Sequence, residues 1–407
     1  MKVNSSISSL VSAPLTGTEN HTGNQGVVEN VTNLEQALSL LESDSLNVAD
    51  LKTLSDTVNN QRSALNLMSS RNAEADIANS LQDSINDYAK ELELLGMWVE
   101  GGKGGFYVAL DKIANNLFNQ STPSYEDIFQ VALIDVLINA ADYGLENDVK
   151  FMQYLSWCIE YIGTGQHNTW IDDLPSPPSL TEGSNQGILN GNLTKLAKDV
   201  WSTIYQKIGS GDIPKSSLAY KAMNLISGGS SVSSTLPSSL ENKLDKNNYF
   251  SANSGGWITT TNNNMSPMMR LMLLTQALGD DDLSKAELET ILTGTLQEVN
   301  NLTQSKFQKH PYEYILAKDP IWQNSQHTNS SGGVSTPNGV NITLDYNGKL
   351  NQTYLTSLYQ NHPSRVLGDD EITDINRIGD TVKMIQQTLK YWIQIMRDER
   401  MAVARNI

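Results

Sequence analysis

Seven apolar residues, Ile375, Ile378, Val382, Ile385, Leu389, Trp392 and Met396, recur at intervals of three and four. That is the a/d spacing of a coiled-coil seam. Around them the segment is polar, with Asp374, Asn376, Arg377, Asp380, Lys383, Gln386, Lys390, Arg397 and Asp398. At about 1.5 Å per residue such a seam runs roughly 33 Å and cannot cover itself. Gly368-Asp369-Asp370 offers an acidic entry, and Arg397, Arg400 and Arg405 put positive charge where the helix dipole favours it. The helix therefore needs a partner. A facing helix in a coiled coil would serve, and so would a globular core, because a core-facing stripe has nearly the same spacing.

A second stripe lies far upstream. Ile77, Leu81, Ile85, Tyr88, Leu92 and Leu95 predict a helix over roughly 74–97, stopping at the glycines from Gly96 to Gly105. Shorter helices precede it around Leu34–Leu41 and Leu51–Met68. The middle of the chain reads as helices at 124–141 and 145–162, joined at Tyr143-Gly144, and at 193–208. A Ser/Gly linker at 227–239 and an Asn-rich stretch to 264 follow. Ser266-Pro267 opens an apolar helix to Leu278, and 283–307 reads as one long amphipathic helix. Alternation from Val340 to Leu350 around Asn347-Gly348 predicts a small β-hairpin. The expected fold is mainly α, with residues 1–30 unstructured and a helical hairpin at 31–72. Segments 73–100 and 368–407 are expected to form a coiled-coil stalk around a mostly helical insert at 101–367, with a linker near 227–264.

A net charge of −17 argues against nucleic acid, whose binders cluster Lys and Arg to displace phosphate counterions. It disfavours an anionic membrane surface for the same reason. The deficit in hydrophobic and charged residues is made up by Asn, Ser, Thr, Gln and Gly, a polar uncharged surface of the kind found on secreted bacterial proteins. The single cysteine, Cys158, excludes an intrachain disulfide and a Cys-based metal site, and its apolar neighbours predict burial. The start, Met1-Lys2-Val3-Asn4-Ser5-Ser6, has no apolar core of a cleavable signal peptide. The longest apolar runs, 131–141 and 268–278, are too short to cross a bilayer.

The catalytic motifs are missing. His21, His167, His310, His327 and His362 are scattered, none with a helical i, i+4 metal partner. Gly101-Gly102-Lys103-Gly104-Gly105 lacks the Ser/Thr of a phosphate loop and reads as a flexible turn. Asp280-Asp281-Asp282 is not followed by EF-hand ligands and reads as an acidic cap for the helix 283–307. Asp172-Asp173 and Asp369-Asp370 are adjacent carboxylates with no acid/base geometry. Trp157, Trp170, Trp201 and Trp322 suit core packing. No catalytic residue, cofactor or metal is expected.

Two features together resemble the needle-tip proteins (hydrophilic translocators) of bacterial type III secretion systems. One is the pairing of an upstream and a C-terminal helix. The other is the junction from Leu94 to Asp111, where an apolar-Trp pair, Met97-Trp98, leads through Gly-Lys into a short extended stretch. The polar start of the chain likewise resembles the uncleaved export signal of type III substrates. The resemblance implies an intramolecular coiled-coil stalk carried by Leu81, Ile85, Tyr88, Leu92 and Leu95 against the C-terminal seam. It also implies export to the cell surface or beyond, and protein partners among needle or translocon subunits, self-association included. A host-directed effector or binding protein, and a viral or phage shell or filament subunit, fit the same acidic, helical sequence.

Overall fold

The computed structural model describes residues 25–41, 51–67, 73–162, 192–244, 265–280, 283–324, 334–335, 341–342, 344–347 and 350–405. It is mainly helical, with fifteen helices among these residues. They divide into two compact units, one of residues 1–92 with 374–407, the other of residues 93–373. Residues 1–24 lie outside the description, as do His21, His167, Trp170, Asp172, Asp173 and His327.

The first unit contains α1 (Gln25–Leu41), α2 (Leu51–Leu67), the first part of α3 (Ala73–Glu100) and most of α15 (Asp369–Arg405). α1 begins within the segment read as unstructured, because the apolar spacing of Val27, Val31, Leu34 and Leu38 carries a helical pattern that far back. α1 and α2 pack on each other, burying Leu34, Leu38, Leu41, Leu54, Val58 and Leu65.

The second unit is built around α5 (Tyr125–Ile138), in which every residue from Asp127 to Ile138 is buried. A helix apolar on all sides belongs in the middle of a core. Ser124 caps its start, accepting from Asp127 N–H. Around it lie α4 (Gly102–Phe118), α6 (Val149–Tyr161), α7 (Asn192–Ser210), α8 (Leu218–Ile226), α9 (Ser238–Leu244) and α10 (Pro267–Asp280). The buried Gln130 amide on α5 joins it to two of them. Its nitrogen donates to the carbonyls of Ile159 and Ile162 at the end of α6, and its oxygen accepts from Met268 N–H at the start of α10. Trp157, Trp201 and Trp322 are all buried.

Several expectations change here. The helix of the first stripe does not stop at Gly96 but continues to Glu100, and Gly102 starts α4 where a flexible turn and then an extended stretch were expected. Only Gly101 and Gly102 leave the helical conformation, at φ 70° and 57°. Nor is 227–239 an open linker. Ser227 Oγ accepts from Ser233 N–H, Trp201 Nε1 donates to Ser233 O, and α9 follows directly with Leu240 and Leu244 buried. The long helix over 283–307 is two, α11 (Lys285–Thr293) and α12 (Leu296–Phe307), separated by an extended Gly294. Each opens with its own capping box, Ser284 with Glu287 and Thr295 with Glu298, so two S/T-x-x-E signals outweigh a continuous apolar period. Asp280 is therefore no cap. It ends α10 and accepts from Tyr314 Oη at 2.6 Å and from Lys318.

α13 (Pro311–Lys318) follows, capped by His310, and then short strands. β1 (Trp322–Asn324) pairs antiparallel with β4 (Leu344–Tyr346), and β2 (Val334–Ser335) with β3 (Asn341–Ile342). The segment expected to fold back on itself at Asn347-Gly348 thus gives one strand to each of two ladders; Gly348 lies outside the described residues. α14 (Gln352–Gln360) leads through Asn361–Gly368 into α15.

Candidate interaction surface

The feature that most constrains the sequence, the seam of α15, is buried along its length at Ile375, Ile378, Val382, Ile385, Leu389 and Met396. Trp392 is the exception. It is half-buried, and Ile393 is fully buried in its place. Both residues satisfy the spacing between Leu389 and Met396, as 3-4 or as 4-3, so periodicity alone does not separate them. On α3, Ile85 and Leu92 are buried while Leu81, Tyr88 and Leu95 are half-buried. Leu95 falls on the other side of the division between the units.

Two buried glutamines tie the first unit together. Gln386 Nε2 on α15 donates to the Leu41 carbonyl at the end of α1 at 2.8 Å, and Gln61 Nε2 on α2 donates to the Val382 carbonyl at 2.7 Å. Arg62 Nε on α2 donates to Asn86 Oδ1 on α3 at 2.8 Å. The Leu41 carbonyl is one of those a helix end leaves without an intrahelical donor, so Gln386 acts as a long-range cap. Nothing in the sequence distinguishes these amides from surface glutamines.

α15 has a second apolar stripe that the sequence reading passed over. Met384 and Tyr391 are 60% and 63% exposed, with half-buried Thr388 and Ile395 completing an i, i+4, i+7, i+11 pattern. Lys383, Lys390 and Arg397 repeat at seven-residue spacing along the same helix. One apolar face of α15 is thus buried, and Met384 and Tyr391 lie exposed on another.

The second unit has titratable groups in its interior, and several of them are held in structural contacts. Asp135 is fully buried on α5; its carboxylate accepts from Ala219 N–H at the start of α8, from Tyr143 Oη and from Asn139 Nδ2. Burial pushes it up to about 6 despite those donors. Burial, with Asp135 close by, also holds the Tyr107 and Tyr143 phenols protonated. Arg270 is buried and spends its guanidinium on carbonyls, Met265, Ile291 and Gly294, which fixes the break between α11 and α12. Burial lowers it to about 10. The cavity beside it, lined by Asn116, Gln120, Asp127 and Thr293, measures about 20 Å³. That is room for one water and no larger ligand. Arg365 and Glu371 form a buried bidentate ion pair at 2.6 Å. Cys158 is buried and its thiol pushed up by burial, the opposite of an activated nucleophile.

Among the described residues there is no cluster of three or more His, Cys, Asp or Glu able to hold a metal, and no helix long and apolar enough to cross a membrane. No family model, no curated protein and no solved structure matches the chain.

Proposed function

We propose that this chain is a non-enzymatic assembly protein exported by a bacterial type III secretion apparatus, with a needle-tip-like role at the contact with translocon subunits or a host surface. The observation that carries the reading is α15: 37 residues long, buried on one face, and presenting Met384 and Tyr391 on another. In this reading α3 and α15 form the coiled-coil stalk, and the residues between them form the domain offered outward. The partners are needle or translocon proteins, or further copies of the chain, and the protein works at the bacterial surface or after secretion. A net charge of −17 keeps such a protein soluble and off polyanions.

The test is immunogold electron microscopy of intact cells of the source organism before host contact. Label at needle tips supports the assembly role. No surface label, with the protein later found inside host cells, points to an effector. Protein found in neither place removes the export reading altogether.

A further inference from the structure

Between α14 and α15, residues Asn361–Gly368 form a strap across the start of α4, held within the 93–373 unit. The His362 carbonyl accepts from Gly102 N–H at 2.8 Å, and Arg365 N–H donates to the Trp98 carbonyl at 3.2 Å. The approach is so close that a Cβ on Gly101 would fall 2.6 Å from Ser364 N. At the far end the Arg365–Glu371 pair closes the strap onto the first turn of α15, with Glu371 also accepting from Gly368 N–H.

Near the start of the strap the His362 side chain is buried. Thr275 on α10 gives its hydroxyl proton to the Leu271 carbonyl at 2.8 Å, so the Thr275 oxygen accepts from His362 Nδ1, also at 2.8 Å. That bonding pattern is the one of the Nδ1–H tautomer. Nε2 is then a bare acceptor, buried, with no hydrogen-bond partner among the described residues. Phe106 meets the ring edge-on at 5.6 Å, and a Cβ on Gly105 would lie 3.1 Å from Cδ2, so the ring has no room to turn towards α4.

We infer that His362 is a proton-operated release for this strap: the site accepts only the neutral imidazole, and proton uptake in mildly acidic medium drives the strap off α4. A second proton would sit on Nε2, where no acceptor waits, and would place a full charge against Phe106 and the glycine backbone. The groups that pack round the ring offer no counter-charge. From α4 they are Gly102, Gly105 and Phe106; from α10, Thr275; from α14, Tyr359, which reaches Phe106 at 6.2 Å. Arg365 on the strap and Glu371 in the first turn of α15 neutralise each other.

Burial alone lowers His362 from 6.5 to about 4. A depressed histidine favours closure above its free value, and that preference is lost as pH falls from 6.5 towards 4. With those two values, linkage makes the open strap about 20-fold more populated at pH 5 than at pH 7.

The experiment is amide hydrogen exchange at Gly102 and Arg365 in the full chain at pH 7 and pH 5, corrected for intrinsic rates, with amides of α5 as the reference for global opening. The expected result is a rise of about 20-fold in opening at the two strap amides, not followed by α5 and absent in His362→Gln, whose amide still donates to Thr275. His310→Gln, altered at the cap of α13, should keep the rise. The same rise in His362→Gln, or no rise in the wild type, overturns the proposal. Should His362→Gln fold poorly, NMR titration of the wild-type ring decides: a value well below 6.5 with the Nδ1–H tautomer upholds it, and an ordinary value or the other tautomer overturns it.

Discussion

Gln386 and Leu41 are 345 residues apart, yet the glutamine amide nitrogen sits 2.8 Å from the leucine carbonyl oxygen. The bond supplies a donor that the end of α1 lacks. Gln386→Leu should therefore leave a buried carbonyl unpaired and cost about 1–3 kcal/mol. Gln61→Met should cost little. The Val382 carbonyl lies in mid-helix and keeps its own helical donor, while the Gln61 Oε1 that is removed is buried with no hydrogen-bond partner among the described residues. Urea denaturation of both variants checks the contrast, and equal losses would contradict it.

The exchange of Trp392 for Ile393 in the buried face sets a second expectation. Leu389→Ala and Ile393→Ala should each cost about 2–5 kcal/mol, whereas Trp392→Ala, half-exposed, should cost under about 1.5 kcal/mol. Chemical denaturation of the three variants measures this. A Trp392 loss as large as the Leu389 loss would restore the simple heptad reading.

The mainly helical class was legible because amphipathic period is a local property. The start of α15 after Gly368 was legible from the acidic Asp369-Asp370, whereas the end of α3 was not, since the helix runs past Gly96 to Glu100. What periodicity could not supply was the choice between residues one position apart, as at Trp392 and Ile393, or the depth at which a polar side chain ends up. Gln61, Gln386, Gln130 and Arg270 are buried by partners distant in sequence, and each looks like a surface residue in its own window. The break at Gly294 was visible in principle, since Ser284-x-x-Glu287 and Thr295-x-x-Glu298 are both helix starts.

Glycines 96 and 101 are expected to respond in opposite ways. Gly96 lies inside α3 with nothing within 4 Å of a new Cβ, so Gly96→Ala should stabilise by about 0.5–1 kcal/mol. Gly101, at φ 70° and against the 362–364 backbone, has no such room, and Gly101→Ala should cost about 2 kcal/mol or more. Thermal melts of the two variants, moving in opposite directions, check this.

The Arg365–Glu371 pair is buried on both sides. Removing one partner strands a charge, so Arg365→Met or Glu371→Leu alone should cost about 3–5 kcal/mol, and the double variant should recover most of it. A double-mutant cycle by denaturation measures the coupling. Additive losses would mean that the two charges act independently.

Asp135 gives a pH signature of its own. Its folded value, about 6, stands above the ordinary 3.8, so the folded state binds its proton first. The contribution is fully present below 3.8 and is lost as pH rises through 6. Relative to Asp135→Asn, the wild type should gain about 2 kcal/mol between pH 7 and pH 4. Denaturation midpoints at pH 7, 5 and 4 measure that difference, and parallel curves would refute it.

The shared core of α1, α2 and α15 also has a kinetic side. Synthesis runs from the amino end, and α15 is the last described helix to emerge. Until it does, the apolar faces of α1 and α2 lack the surface that covers them, and closing so long a loop comes late and slowly. Residues 93–373 carry a core of their own and can fold in that interval. The first unit can thus complete its core only once α15 has emerged, whereas residues 93–373 hold most of theirs before it does.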